Sequence, residues 1–474
     1  MAELLTPDLC VVGAGSAGLS VAAGASQLGA PTVLVEAGRM GGDCLNYGCV
    51  PSKALLAAAR AVRAIGEAAA FGVAAGPARV DFAAVRAHLR DVIDGIAPND
   101  SEARFTGLGV RVVRARARFT GPAELAAGDL RIRARRFVLA TGSEPLLPPV
   151  PGLAETPHLT NETVFDLAAL PEHLLVLGGG PIGCELAQAF RGLGAAVTLV
   201  ERARLLPKDD PELVEVVRRR LAADGIQLQE GAEVVRAAPA GAGVALTLRQ
   251  DGAERVVAGS ALLVAAGRRP RLDGLDLAAA GIAHDARGIT VDAGLRTSNR
   301  RVYAIGDAVG GLQFTHVAGY HAGLVIRSAL FRLPARVSTA AIPWVTYTEP
   351  ELAQVGLTED AARERHGAIR ILRWPFAEND RARTERVAGG FVKVVTSPRG
   401  RILGASIVGP QAGELIQPWV LAIARGLGIG AMAQLVLPYP TLGEAGKRAA
   451  GSYFLPKLFG PRSKRLVRFL RRFG

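Results

Sequence analysis

The sequence predicts an α/β chain with two Rossmann-like dinucleotide-binding domains and a C-terminal α+β domain, and three observations carry that prediction. A strand–glycine turn–helix–strand–acid pattern occurs twice, two cysteines follow its first copy, and strands alternate with helices beyond Ala341. Length agrees, because 474 residues accommodate about three domains of roughly 100–200 residues, and a 49% hydrophobic composition fills sizeable cores.

The first copy begins with the short apolar strand Leu9-Cys10-Val11-Val12. Gly13, Gly15 and Gly18 then form a G-x-G-x-x-G turn into an alanine-rich helix, which returns to the strand Thr32-Val33-Leu34-Val35-Glu36. Such glycines let the backbone approach a pyrophosphate at the positive end of the helix, and Glu36 is placed to accept a ribose hydroxyl. The second copy runs from Leu174-Leu175-Val176-Leu177 through Gly178, Gly180 and Gly183 to a strand ending at Glu201. Two such sites imply two dinucleotides. A carboxylate at Glu201 favours a 2′-hydroxyl over a 2′-phosphate and hence NADH. Arg202 and Arg204 follow at once in positions able to clamp that phosphate, so NADPH stays open.

Between the two copies lies the run from Gly41 and Gly42 through Cys44 and Cys49 to Lys53. Near the start of a helix, cysteines so spaced lie about a turn apart, within the roughly 4.4–6.8 Å Cα separation that a disulfide tolerates. The helix N-terminus also favours a thiolate. A zinc site usually uses C-x₂₋₄-C with a second ligand pair, and the sequence has no second pair, so no metal site is expected. Cys10, in an apolar strand, and Cys184, at a helix start, read as packing residues. Four cysteines in so long a chain build no disulfide framework.

These features resemble the class I pyridine nucleotide-disulfide oxidoreductases, the family of dihydrolipoamide dehydrogenase, glutathione reductase and mercuric reductase. The resemblance extends over nearly the whole chain. It includes the crossing segment Phe137-Val138-Leu139-Ala140-Thr141-Gly142, its partner Leu262-Leu263-Val264-Ala265-Ala266-Gly267-Arg268, and Val302-Tyr303-Ala304-Ile305-Gly306-Asp307, which resembles the family's second flavin motif. Beyond the two fingerprints, the cofactor-binding positions so implied are Gly42, Thr141, Gly142, Gly267, Gly306 and Asp307. The resemblance implies an FAD-binding domain at 1–148 and 272–340, an NAD(P)-binding domain at 149–271, and a dimerisation domain at 341–455 that makes the protein a homodimer.

It also implies a mechanism. A reduced nicotinamide passes hydride to FAD, and the electron pair moves to a Cys44–Cys49 disulfide, with Cys49 next to the flavin and Cys44 as the outward interchange thiol. Lys53, four residues after Cys49 on the same helix face, is implied to pair with Glu185 and hold positive charge beside the reduced flavin.

Departures from the family pattern bear on the acceptor. Dithiol-processing members carry His-Pro near the C-terminus with a glutamate five residues after the histidine, whereas here Tyr439 precedes Pro440 and only Glu444 is retained. A tyrosine with an ordinary pKa of about 10 does not shuttle protons near neutrality as histidine does. Mercuric reductases also carry tyrosine here, which makes the expected enzyme mercuric reductase-like. They usually end in a vicinal cysteine pair, however, and no cysteine follows Cys184 in this sequence. Pro181 also stands where several relatives have a tyrosine lid. The acceptor expected is therefore a small molecule or a thiol-bound metal, with dihydrolipoamide-type dithiol chemistry as the alternative.

The final segment 456–474 is basic and amphipathic. Lys457, Arg462, Lys464, Arg465, Arg468, Arg471 and Arg472 meet no acid there, against a chain total of +13. Leu466, Phe469, Leu470 and Phe473 recur at helical spacing over about two turns. Such a helix lies on an anionic membrane surface or packs on a partner, which keeps a docked electron-transfer flavoprotein subunit as a second alternative. No nucleic-acid recognition motif accompanies the charge. The sequence opens without a secretory signal and has no apolar run of roughly 18 residues, so the expected location is cytoplasmic, with any membrane contact peripheral at the inner face.

Overall fold

The computed structural model describes residues 3–473. They divide into two compact units: one within Met1–Arg202 and Gln227–Val337, the other within Ala203–Ile226 and Ser338–Gly474.

The first unit contains two parallel sheets of the same design. In one, the strand order is Val302–Ala304, Arg136–Leu139, Leu9–Val12, Thr32–Glu36, Val110–Arg114. Leu9–Val12 is buried at every position, as expected of a parallel strand covered on both faces. The helices Ser16–Gln27 and Thr315–Ala329 contribute to the core on one face. In the other, the order is Gln227–Glu230, Ala196–Glu201, His173–Leu177, Ala261–Val264. A three-stranded antiparallel meander, Glu233–Ala240, Gly243–Gln250 and Ala253–Gly259, accompanies this second sheet. The two predicted crossing segments meet where Ser143–Pro145 pairs antiparallel with Arg268–Pro270. That pairing brings Ser143 and Arg268 together.

The second unit has α+β architecture and is wider than the expected 341–455. Its antiparallel sheet has the order Pro343–Thr346, Glu351–Gly356, Ile402–Gly409, Phe391–Thr396, Arg370–Pro375. Short helices including Gln417–Ala424, Ile429–Ala433 and Glu444–Ser452 share its core with the buried Trp419 and Phe376. This unit also holds the helix Pro211–Ala223 from the middle of the chain. The join is electrostatic as well as apolar. Lys393, 3% exposed, donates to Asp210 at 2.6 Å, Glu212 at 2.8 Å and Glu359 at 2.9 Å. Burial alone lowers the pKa of this ammonium, but the three carboxylates outweigh it and hold the group above its ordinary range.

Candidate active site

The two fingerprints repeat one geometry. Gly13 and Gly178 both have left-handed φ, +104° and +117°. A Cβ at Gly13 would lie 2.3 Å from the Ala140 carbonyl, and one at Gly178 would lie 2.4 Å from that of Ala265. Only glycine fits either turn. The carboxylates at the ends of the following strands act alike: Glu36 accepts from the Ala14 amide at 2.5 Å, and Glu201 from the Gly179 amide at 2.7 Å. The helices Ser16–Gln27 and Pro181–Gly192 follow extended Gly15 and Gly180, and neither has a side-chain cap. Their first amides thus remain available to an anion.

The cysteine run docks on the first fingerprint. Gly42, at φ +60°, comes so near Gly15 that a Cβ would lie 2.6 Å from the Gly15 Cα. The sequence placed the cysteines about a turn apart at the start of one helix. Instead Cys44 belongs to a short helix, Gly42–Asn46, and Cys49 opens a second, Cys49–Glu67, with Tyr47 and Gly48 at the break. Gly48 bears an Asp43 carboxylate oxygen 2.9 Å from where its Cβ would be, so the chain turns there rather than continuing one helix. The thiols are unlinked, and each shifts the ionisation of the other.

Their pKa values move in opposite directions. The Cys44 thiol, the Thr315 hydroxyl 3.6 Å away and the charge of Lys53 together outweigh burial and Asp43, lowering the Cys49 pKa to about 6. The neighbouring Cys49 sulfur, burial and the charge of Asp43 push Cys44 well above the ordinary thiol range. Near neutrality Cys49 is the thiolate and Cys44 keeps the proton. Replacing Thr315 with valine removes a donor to that thiolate. The rate at which iodoacetamide alkylates reduced Cys49 is expected to rise with pH through about 6 in the native protein, and through a higher pH in Thr315→Val. Protonation below the midpoint slows alkylation, so the shift appears as a slower reaction near that pH.

Lys53 and Glu185 meet at 2.7 Å across the helices Cys49–Glu67 and Pro181–Gly192. Glu185 is 6% exposed on its side chain and Lys53 36%, so the pair presents its cation toward the open side. The remaining positions form a second group. Asp307 accepts from Ser143 at 2.6 Å, while Arg268 donates to the Ser143 hydroxyl at 2.8 Å and pairs with Asp43 at 3.2 Å. Burial raises the Asp307 pKa, with Ser143 and Arg268 opposing. Gly142 and Gly306 both have left-handed φ. The Thr141 hydroxyl is buried without a hydrogen-bond partner among the described residues. A buried hydroxyl of this kind, beside an anion-ready glycine turn, fits a polar group of a bound dinucleotide.

Tyr439 and Glu444 belong to the second unit. Tyr439 is 70% exposed, and its hydroxyl donates to Asp380 at 3.0 Å. That bond raises the phenol pKa further. Asn379 donates to the Thr441 carbonyl at 3.0 Å, steadying the same segment, and Glu444 begins the helix Glu444–Ser452.

Several contributors had no assigned role in the sequence. Thr315 lies 266 positions from Cys49, and Asn161 donates to Asp43 from 118 positions away. Neither has a local motif. Arg268 was legible as part of a crossing segment, but its partners were not.

The family description "Pyridine nucleotide-disulphide oxidoreductase" matches residues 7–322, and that family's dimerisation domain matches residues 342–450. The chain belongs to the pyridine nucleotide-disulphide oxidoreductases. Among family relatives, a mercuric reductase of Bacillus cereus is 34% identical over 445 residues, covering 93% of this chain and 70% of that protein. A dihydrolipoyl dehydrogenase of Thermus scotoductus is 37% identical over 463 residues, covering 94% and 97%. The Cu(II) complex of the HOCl-induced flavoprotein disulfide reductase RclA from Escherichia coli superposes with a TM-score of 0.85 at 27% identity, covering 94% of this chain and 99% of that one. A flavin, a pyridine nucleotide and a redox disulfide are the common equipment of this family. No described helix is long and apolar enough to cross a membrane.

Proposed function

We propose that the protein is an FAD-dependent NAD(P)H oxidoreductase whose Cys44–Cys49 pair reduces a thiol-bound soft metal ion, in the manner of a mercuric reductase. The observation that carries this reading is the pair of free thiols Cys44 and Cys49, with Cys49 3.6 Å from the Thr315 hydroxyl; the Cys49 pKa is lowered and that of Cys44 raised. Bound FAD supplies two-electron exchange between the pyridine nucleotide and the cysteines. Gly13, Gly15, Gly18, Glu36, Gly42, Thr141, Gly142, Gly306 and Asp307 hold it, and Gly178, Gly180, Gly183, Glu201 and Gly267 hold the nucleotide. Glu201 supports a preference for NADH through its carboxylate at the fingerprint.

The acceptor step uses the chain's own atoms. Cys44 and Cys49 take the metal from its thiol ligands as a dithiolate complex, releasing the Cys44 proton to the departing thiol. Two electrons then pass to the metal as the sulfur–sulfur bond forms. No base is needed after metal capture, which suits Tyr439, whose hydroxyl donates to Asp380 and is held well above neutrality in pKa. The dimerisation domain supports a homodimer.

Steady-state assays test this. NADH is expected to give the higher kcat/KM with Hg(II) presented as a thiol complex, and dihydrolipoamide oxidation is expected to be slow. Tyr439→His, which restores an imidazole base, is expected to raise dihydrolipoamide oxidation by roughly ten- to a hundredfold. A native protein that turns over lipoamide faster than the metal complexes would remove the mercuric-type reading and favour dihydrolipoyl chemistry.

A further inference from the structure

We propose that residues 454–473 form a peripheral anchor that lays the enzyme on an anionic bilayer surface. The segment comprises the helices Leu455–Leu458 and Pro461–Leu470, joined at Phe459 and Gly460. The Ser463 hydroxyl donates to the Lys457 carbonyl at 2.7 Å and ties the two together. The second helix is longer than the two turns expected from its apolar spacing.

Its faces are separated over most of its length, with Arg462 in the first turn falling on the apolar side. At about 100° per residue, Leu466, Phe469, Leu470 and Phe473 share one side, and Lys464, Arg465, Arg468, Arg471 and Arg472 share the other. The Phe469 and Phe473 rings meet edge-on at 5.1 Å, so the apolar row continues past the last helical turn. None of it is covered: Leu466 is 56% exposed, Phe469 52% and Phe473 74%. Phe454, Leu458 and Phe459 add further exposed apolar surface.

Charge identifies the occupant. No acidic residue follows Glu444, so the tail has cations on its polar face and no internal counterion. A second copy of the same helix would cover the apolar row but leave both basic faces turned outward with no counterion. A nucleic acid would answer the charge and leave the row of Leu and Phe in water. An anionic lipid surface answers both, since the apolar side enters the acyl boundary while the long basic side chains reach up to the headgroups.

Flotation of the full-length, FAD-loaded protein with vesicles tests the proposal, using phosphatidylcholine alone and phosphatidylcholine in which about a third of the lipid is phosphatidylglycerol. Binding is expected only to the anionic vesicles and is expected to fall with added salt. Neutralising three cations in Arg465→Gln/Arg468→Gln/Arg472→Gln is expected to weaken partitioning roughly a hundredfold. Leu466→Ser/Phe469→Ser/Phe473→Ser is expected to lose binding while keeping every charge. Both variants should retain bound flavin and NADH oxidation, which separates loss of docking from loss of fold. The proposal is overturned if the native protein fails to float with the anionic vesicles, or if the serine variant floats equally well. It is also overturned if the serine changes lower the particle mass in lipid-free solution, because the apolar row is then a contact between copies.

Discussion

Cys44→Ala is expected to lower NADH-linked reduction of the acceptor by at least about a thousandfold while leaving the bound flavin reducible by NADH. The reason lies in how the pair divides its work. Cys44 lies in the helix Gly42–Asn46, and its thiol is the foremost cause of the depressed Cys49 pKa. Removing it takes away one of two sulfurs needed to close a disulfide and also the group that stabilises the remaining thiolate. The variant should therefore show a second change that a merely structural role would not produce. The pH at which Cys49 becomes reactive to iodoacetamide should rise from about 6 toward the ordinary thiol range. Cys49→Ala is expected to lose acceptor turnover as completely, and with it the neutral-pH thiolate. Full acceptor turnover in either variant would show that the cysteines do not carry the electrons.

Lys53→Met should slow reduction of the bound flavin by NADH by roughly a hundred- to a thousandfold, the usual effect of removing a fixed charge from a developing anion. Lys53 faces Glu185 at 2.7 Å, and Glu185 is held in the helix that opens at the second fingerprint. The pair thus couples the cysteine helix to the nucleotide-binding helix. Because Lys53 is 36% exposed, solvent screens part of its charge, and the loss in global stability is expected to be smaller than for a fully buried pair. Glu185→Gln is expected to slow the same step less, since the cation stays and only its anchor weakens. Lys53→Arg should recover part of the rate. Stopped-flow flavin bleaching reads all three, and an unchanged rate in Lys53→Met would remove the lysine from the mechanism.

What the sequence showed clearly was local. The glycine turns, their strands and the closing Glu36 and Glu201 occupy short spans, so spacing alone predicts their geometry. The Lys53–Glu185 contact was reachable because each residue follows a recognisable motif. The break at Tyr47 and Gly48 was not legible, because it depends on Asp43 packing against Gly48 and on Gly42 against Gly15. Thr315 and the Ser143–Arg268–Asp307 network depend on tertiary neighbours far apart in sequence. The place of Pro211–Ala223 in the second unit is likewise set by a buried lysine, Lys393, whose carboxylate partners no periodicity announces.

An anaerobic titration of the purified holoenzyme with NADH, recording the flavin spectrum and counting titratable thiols, shows whether electrons reach the cysteine pair. The first two electrons are expected to expose two new thiols per chain, Cys44 and Cys49, and to bring up a long-wavelength thiolate–flavin absorption that Cys49→Ala lacks. Bleaching of the flavin with no new thiols and no long-wavelength band would contradict this, because the cysteine pair would then stand outside the path of the electrons.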